Sequence, residues 1–378
     1  MEISLEFLDE TFTATATITP DSEINITEFS FILSDSLIIS RVTCNGRKID
    51  YEMLSTITPP FRISSKNILV KCDDYIRNIT IEYHGKATGW HNIITRDIKS
   101  LSYYSVWFPQ DTSIPITHDK VIIPNGQDYF VVKGIYDKDV WEYGGKGYDP
   151  FNIVAYRKER LKTISNPFMN IYFIDSNISE QAEKSVALYR EILDFYNGNL
   201  FKQIKIPILD IACVSPAITT GGVGYRRKDF MWCTSLGNND NEIAWLNAHE
   251  TAHIWCTGAD CGTWEDWLNE TTAEWASLLF AIHKNDSELF DYILKPKLKK
   301  ANLLPPIKTE DGSRPDGVHI KGTVLFYEMY KLFGVDAVRK AVRLFTDIEH
   351  KTTASFVQSL YDMDESSIAD FIKEGIAR

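Results

Sequence analysis

The sequence predicts an α+β multidomain chain: an antiparallel β-sandwich or large curved sheet in residues 1–167, then a mostly helical domain in residues 168–378. Three observations predict it. Short runs with a period of two, separated by turn residues, fill the first part. After Asn166-Pro167 the apolar spacing becomes that of helices. Apolar residues make up 44% of the 378, with 12% aromatic, enough for large cores and too much for a disordered chain.

The strands come first. Thr11-Phe-Thr-Ala-Thr-Ala-Thr-Ile-Thr alternates cleanly. Further strand-like runs are Phe29-Ser-Phe-Ile-Leu, Leu37-Ile-Ile-Ser-Arg-Val-Thr, Asn67-Ile-Leu-Val-Lys, Asn78-Ile-Thr-Ile-Glu-Tyr, Tyr129-Phe-Val-Val-Lys-Gly and Phe151-Asn-Ile-Val-Ala-Tyr. Turn signals divide them at Cys44-Asn-Gly-Arg, Thr58-Pro-Pro, Pro124-Asn-Gly-Gln and Gly144-Gly-Lys-Gly. Beyond Pro167, the strand Met169-Asn-Ile-Tyr-Phe-Ile leads into a helix at about 179–196, stopped by Asn197-Gly198. Ile206-Pro-Ile-Leu-Asp-Ile-Ala-Cys-Val is a further strand, followed by the loop Thr219-Thr-Gly-Gly-Val-Gly-Tyr. Helices are expected at 242–256, 265–284, 286–299, 321–333, 335–346, 353–361 and 365–376.

Net charge is −12, which disfavours nucleic acid and anionic membranes, since both bind cationic surfaces. No apolar run approaches the length of a membrane span, and the N-terminus lacks a basic region and apolar core. A cytoplasmic location is expected. The six Cys (44, 72, 213, 233, 256 and 261) form no dense framework, so most are expected to be reduced and buried. Cys256 and Cys261 lie close enough in sequence for a local disulfide or a second metal.

The chemistry centres on His249-Glu250-Thr251-Ala252-His253, in a stretch free of Pro and Gly. Two His four apart on a helix lie about 40° from each other around its axis, so both imidazoles can reach one cation. Glu250 falls on the flank of that face. This His-Glu-x-x-His spacing is a zinc-peptidase signature, with the Glu as general base. A hydrolytic zinc takes three protein ligands and keeps one position open for water. The next helical stretch, Trp264-Glu-Asp-Trp-Leu-Asn-Glu-Thr-Thr-Ala-Glu-Trp, offers Glu265, Asp266, Glu270 and Glu274 for the third. Glu270 and Glu274 share a face, which suits one ligand and one acceptor for the spare ring N–H of a ligand His. Trp267, Leu268, Trp275 and Leu278 interleave with these acids, so the helix is expected to be buried and its carboxylates to need partners.

His249-Glu250-x-x-His253 followed by Trp267-Leu268-Asn269-Glu270 resembles the gluzincin metallopeptidases of the aminopeptidase N and leukotriene hydrolase type. The resemblance implies a saddle-like β domain followed by a thermolysin-like catalytic domain, and one zinc held by His249, His253 and Glu270. It implies Glu250 as base and Glu274 as the acid behind a ligand His. Sixteen residues separate His253 from Glu270, two fewer than in the family, a loop deletion that leaves the ligand-bearing helix intact. Asn197-Gly-Asn-Leu-Phe, Ile320-Lys321-Gly322-Thr-Val-Leu-Phe-Tyr and Thr352-Thr-Ala-Ser-Phe extend the likeness more weakly.

Two departures stand out. The family's substrate loop carries a Glu that grips a peptide's free amine. Gly221, Gly222, Val223 and Gly224 take that place here, with Gly224 at the acid's position. A backbone-only loop can align an extended substrate but cannot neutralise an ammonium. The family's oxyanion-stabilising Tyr, two residues before Lys-Gly, is His319 here, with Tyr225 as a second candidate donor. The family's helical C-terminal domain has no counterpart before Arg378, so an open cleft, or one closed by a second subunit of a homo-oligomer, is expected. The implied activity is peptide hydrolysis, as an aminopeptidase; an endopeptidase of altered specificity, or a zinc-binding module without turnover, is the alternative.

Overall fold

Phe12, Ala14, Ala16 and Ile18 are buried while the threonines between them are half-buried, as alternation over residues 12–18 requires. The computed structural model describes residues 1–20, 25–59, 62–89, 92–144, 151–214, 224–227 and 229–378. They form two units, Met1–Thr163 with Ile171–Ser176 and Asp210–Ser235, and Ile164–Asn170 with Asn177–Leu209 and Leu236–Arg378.

The first unit is built on an eight-stranded sheet, in the order Ile135–Asp137, Val140–Gly144, Lys120–Pro124, Glu2–Phe7, Phe12–Ile18, Ile79–Gly85, Leu37–Cys44, Arg47–Lys48. A three-stranded sheet holds Glu28–Ser34, Ser65–Lys71 and Tyr51–Ile57 in that order. Phe12 and Ile81 from the first sheet, Phe29, Phe31 and Ile68 from the second, and Trp107 belong to one buried cluster, so the two sheets share a core as a sandwich does. Within residues 1–167, for which antiparallel pairing is expected, Glu2–Ser4 instead runs parallel to Lys120–Ile122. A four-stranded sheet (Tyr129–Val131, Ile153–Arg157, Ile98–Leu101, Ile93–Ile94) completes the β-rich part. In a fourth, five-stranded sheet, Leu209–Cys213 pairs parallel with Phe230–Cys233, which pairs antiparallel with Gly224–Arg227.

Cys44 and Cys72 form a disulfide, which the sequence reading did not identify. Cys213, Cys233 and Cys256 are buried and Cys261 is exposed, none of them in a disulfide, so the Cys256–Cys261 bridge does not form.

The second unit is helical: α1 (Ser179–Tyr196), α2 (Asp240–Ala252), α3 (Trp267–His283), α4 (Ser287–Lys300), α5 (Val318–Asp347), α6 (Thr353–Asp362) and α7 (Ser366–Gly375). Asn239 caps α2 by accepting from the Glu242 N–H at 3.0 Å, and the Glu242 carboxylate accepts from the N–H of the preceding residue, Asn238, at 2.8 Å. α2 ends at Ala252, four residues short of the expected 256; His253 keeps helical dihedrals (φ −63°, ψ −7°) as the chain tightens into a turn. The break expected between 333 and 335 is present inside α5 at Gly334, whose φ of 83° only glycine adopts readily.

α3 is the central helix and packs against α2, α4 and α5. Every residue from Trp267 to Ala281 is buried except Glu270. α5 comes close to it at Gly322. A Cβ there would sit 1.8 Å from Thr271 Oγ1 and 3.3 Å from Trp267 Cε3. Glycine is thus what lets the two backbones meet, one residue past Glu270 on α3 and one turn past His319 on α5.

Candidate metal centre

The ligand candidates come from α2, the turn after it and the first turn of α3. His249 Nε2 lies 3.2 Å from His253 Nε2, 3.4 Å separates His249 Nε2 from Glu270 Oε2, and 3.7 Å separates His253 Nε2 from the same oxygen. Metal–ligand bonds of about 2.0–2.1 Å at tetrahedral angles place ligand atoms roughly 3.3 Å apart. The three atoms therefore already have the spacing of three corners around one small cation, and among the described residues they are the one such group of His, Cys, Asp or Glu.

Each imidazole is turned so that Nε2 is the inward nitrogen. His253 Nδ1–H donates to the Cys256 carbonyl at 3.0 Å. His249 Nδ1–H donates to Glu274 Oε2 at 2.7 Å. Such outward bonds fix tautomer and ring orientation. Glu274 is fully occupied. Trp245 Nε1–H, one turn before His249 on α2, reaches both its oxygens at 3.0 Å, and Lys297 of α4 forms an ion pair with it. Burial alone would raise the Glu274 pKa, but Lys297 and His249 hold it down at about 2. For His249, burial works against the charged ring, yet the Glu270 and Glu274 carboxylates win and raise its pKa well above the ordinary value. A site that favours a proton between these groups favours a metal cation for the same electrostatic reason.

Glu270 is held well below the usual carboxylate range: burial opposes this, and the charges of His253 and His319 and contacts from His249 and His319 outweigh it. Its Oε2 is buried and meets no donor in hydrogen-bonding alignment. Such an atom asks for another partner, and a cation among the three ligand atoms would be one. The donor set of two imidazoles and a carboxylate matches the chemistry of a hydrolytic zinc.

Glu250 follows His249 on α2 and is partly exposed, on the flank of the ligand face. His319 is the second residue of α5, with Nδ1 2.8 Å from Glu270 Oε2 and Nε2 3.0 Å from Arg314 Nη2. Tyr225 lies in the first unit. It is buried, stacked on Trp232 (ring centroids 6.0 Å apart), and its hydroxyl donates to Asn152 Oδ1 at 3.0 Å. These are the surroundings of a packed core residue. Gly221, Gly222 and Val223 lie outside the described residues. Gly224 opens a strand, where a Cβ would come within 2.5 Å of the Trp232 carbonyl; close strand pairing accounts for glycine at this position.

No protein-family model and no curated protein sequence matches the chain. Solved structures do. Native leukotriene A4 hydrolase from Saccharomyces cerevisiae aligns with a TM-score of 0.66 at 15% identity, over 98% of this chain and 65% of that one. The same yeast enzyme in complex with bestatin gives 0.63 at 14%, over 100% and 66%. An M1 zinc metallopeptidase mutant from Deinococcus radiodurans, bound to a Tyr-Ser-Ala substrate, gives 0.67 at 11%, over 99% and 92%. The chain has the fold of the M1 zinc metallopeptidases. It spans about two-thirds of the yeast hydrolase and nearly all of the Deinococcus metallopeptidase. In this M1-like fold the sequence points to the three candidate ligands, Glu250 and Glu274, but not to Trp245 and Lys297, which contact Glu274, or to Arg314, which contacts His319. Trp245, at four residues before His249 on the same helix face, carried a readable signal; Lys297 and Arg314 are brought in by tertiary packing and carried none.

Proposed function

We propose that the chain is a zinc-dependent peptidase that hydrolyses peptide bonds as an aminopeptidase. The observation that supports it best is the 3.2–3.7 Å spacing of His249 Nε2, His253 Nε2 and Glu270 Oε2. These residues would hold the zinc, and Glu274 would keep the His249 ring turned towards it. Bound zinc supplies an acidified water and a Lewis acid at neutral pH. Glu250 takes a proton from the attacking water and returns it to the leaving amine. The oxyanion role expected of His319 or Tyr225 is assigned to neither, since both ring nitrogens of the one and the hydroxyl of the other face other groups. Among the described residues no helix is long and apolar enough to cross a membrane. A cytoplasmic location rests on sequence alone, and the Cys44–Cys72 disulfide weighs against it; thiol alkylation in freshly lysed cells would find both Cys blocked if the compartment is oxidising.

The test combines zinc content with hydrolysis of fluorogenic peptides carrying free or blocked N-termini. Glu250→Gln is expected to lower turnover by about 10²–10⁴-fold and to keep its zinc. Undiminished turnover in that variant would sink the assignment of the base. Cleavage of blocked peptides as fast as free ones would replace aminopeptidase with endopeptidase. Zinc uptake without any hydrolysis would leave a binding module.

A further inference from the structure

The position where the resembling family has an oxyanion-binding phenol holds His319, whose two ring nitrogens face Glu270 and Arg314. Arg314 Nη2 lies 3.0 Å from His319 Nε2. A guanidinium only donates, so Nε2 accepts and the ring proton of neutral His319 sits on Nδ1. That nitrogen is 2.8 Å from Glu270 Oε2. Arg314 is itself anchored, donating from Nε to Asp266 Oδ2 at 2.7 Å. Asp266 Oδ1 accepts from Asn269 Nδ2 at 2.9 Å, and the Asn269 amide also brackets Ala259, accepting from its N–H and donating to its carbonyl, both at 3.0 Å. The contacts make a closed circuit, Glu270 to His319 to Arg314 to Asp266, that starts and ends at the first turn of α3. Gly322 places the α5 end of it by letting α5 approach α3.

Resting on the zinc-peptidase reading, we infer that His319 is a positioning residue for the third ligand: its Nδ1–H holds the Glu270 carboxylate while Arg314 fixes the ring from the other side. A carboxylate oxygen has lone pairs for a metal and for one N–H at once. The Nδ1–H in this structure is close to Oε2 but not aligned with it, so a small rotation of the carboxylate or the ring completes the bond. The substitution of an imidazole for a phenol at this position then has a physical meaning. The ring restrains the site's carboxylate instead of offering a donor to the substrate.

The test uses the full chain and reads zinc affinity by competition with a chelating dye, independently of turnover. An Asn amide nitrogen can stand where His Nδ1 stands, whereas a Gln amide reaches the Nε2 position. His319→Asn is therefore expected to keep zinc affinity near that of the wild type. His319→Gln and His319→Phe are expected to weaken it about 10–100-fold, the usual effect of removing a group that orients a metal ligand. The ring is half exposed, so these variants should fold, and the metal-free melting temperature checks it. Wild-type zinc affinity in the Phe variant, or better binding by the Gln variant than by the Asn variant, would overturn the inference. Absence of hydrolysis by zinc-loaded wild-type protein would overturn the peptidase reading and leave this one standing.

Discussion

Gly322→Ala tests the packing that carries the site. In an exposed helix interior this change is stabilising by about 1 kcal/mol, because alanine has the better helix propensity. Here the new Cβ would lie 1.8 Å from Thr271 Oγ1, 3.1 Å from Thr271 Cβ and 3.3 Å from Trp267 Cε3. Ordinary contact needs about 3.5–4.0 Å. Rotating Thr271 does not clear the space, since one rotation puts its methyl where the hydroxyl was and the other still leaves its Cβ at 3.1 Å. α5 must withdraw from α3, and overpacking of this kind costs about 1–3 kcal/mol. With so deep an overlap the upper part of that range applies, so the net loss is expected to be about 1–2 kcal/mol after the propensity gain. Withdrawal by even 1 Å, on the order of what such a clash demands, would stretch the 2.8 Å contact between His319 Nδ1 and Glu270 Oε2 past hydrogen-bonding range. Zinc affinity should fall with stability. Urea unfolding of the metal-free protein and a dye-competition zinc titration measure the two. Adding Thr271→Ala should restore most of both, because Thr271 Oγ1 has no hydrogen-bond partner to lose. A Gly322→Ala protein that is as stable as wild type, or more so, would refute the argument.

Two further outcomes concern pH. The folded-state pKa of Glu274 is depressed to about 2, so its stabilising effect is present above about 4.5 and is lost as pH falls towards 2. Lys297→Met should therefore lower the melting temperature at pH 7, with the gap to wild type closing near pH 2; a gap independent of pH would count against the ion pair as its source. His118, packed edge-on to Phe108 and Phe151, has its pKa lowered by burial and then by the N-terminal ammonium, with Asp119 opposing. Its contribution is present above about 6.5 and lost as pH falls through the lower folded value. His118→Phe should flatten the decline in melting temperature between pH 7 and 5, and an unchanged slope would show that other groups cause it.

Much of the fold was legible because local periodicity and burial agree. Residues 12–18 alternate because one face of the strand is buried, and Gly334 interrupts α5 where two helical patterns meet. What escaped notice was not local. Glu2–Ser4 pairs with Lys120–Ile122 across more than a hundred residues, and no pattern in either run names the other. Tyr51–Ile57 is an edge strand exposed almost throughout, so it lacks the alternation that marks a strand. The Cys44–Cys72 link depends on which sheet edges meet, which spacing cannot reveal. At the site, His249, His253 and Glu270 were readable because helix geometry alone brings the first two together and acids in a buried helix need partners. His319 was readable as a position but not as a role. Its role depends on Arg314, five residues earlier, and on how closely α5 approaches α3.

The three candidate ligands all fall within residues 249–270. A cation bound to them would close one small loop between α2 and α3, and the chain entropy of closing a loop of about 17 residues is only on the order of 2–3 kcal/mol beyond a constant. Zinc in small peptide sites binds with about 10–16 kcal/mol, far more than that closure requires. The metal would therefore act as a short-range clasp. It could bind as soon as a single helical hairpin has formed, without waiting for contacts distant in the chain, and once bound it would bias the remaining helices to assemble around a hairpin already locked in register.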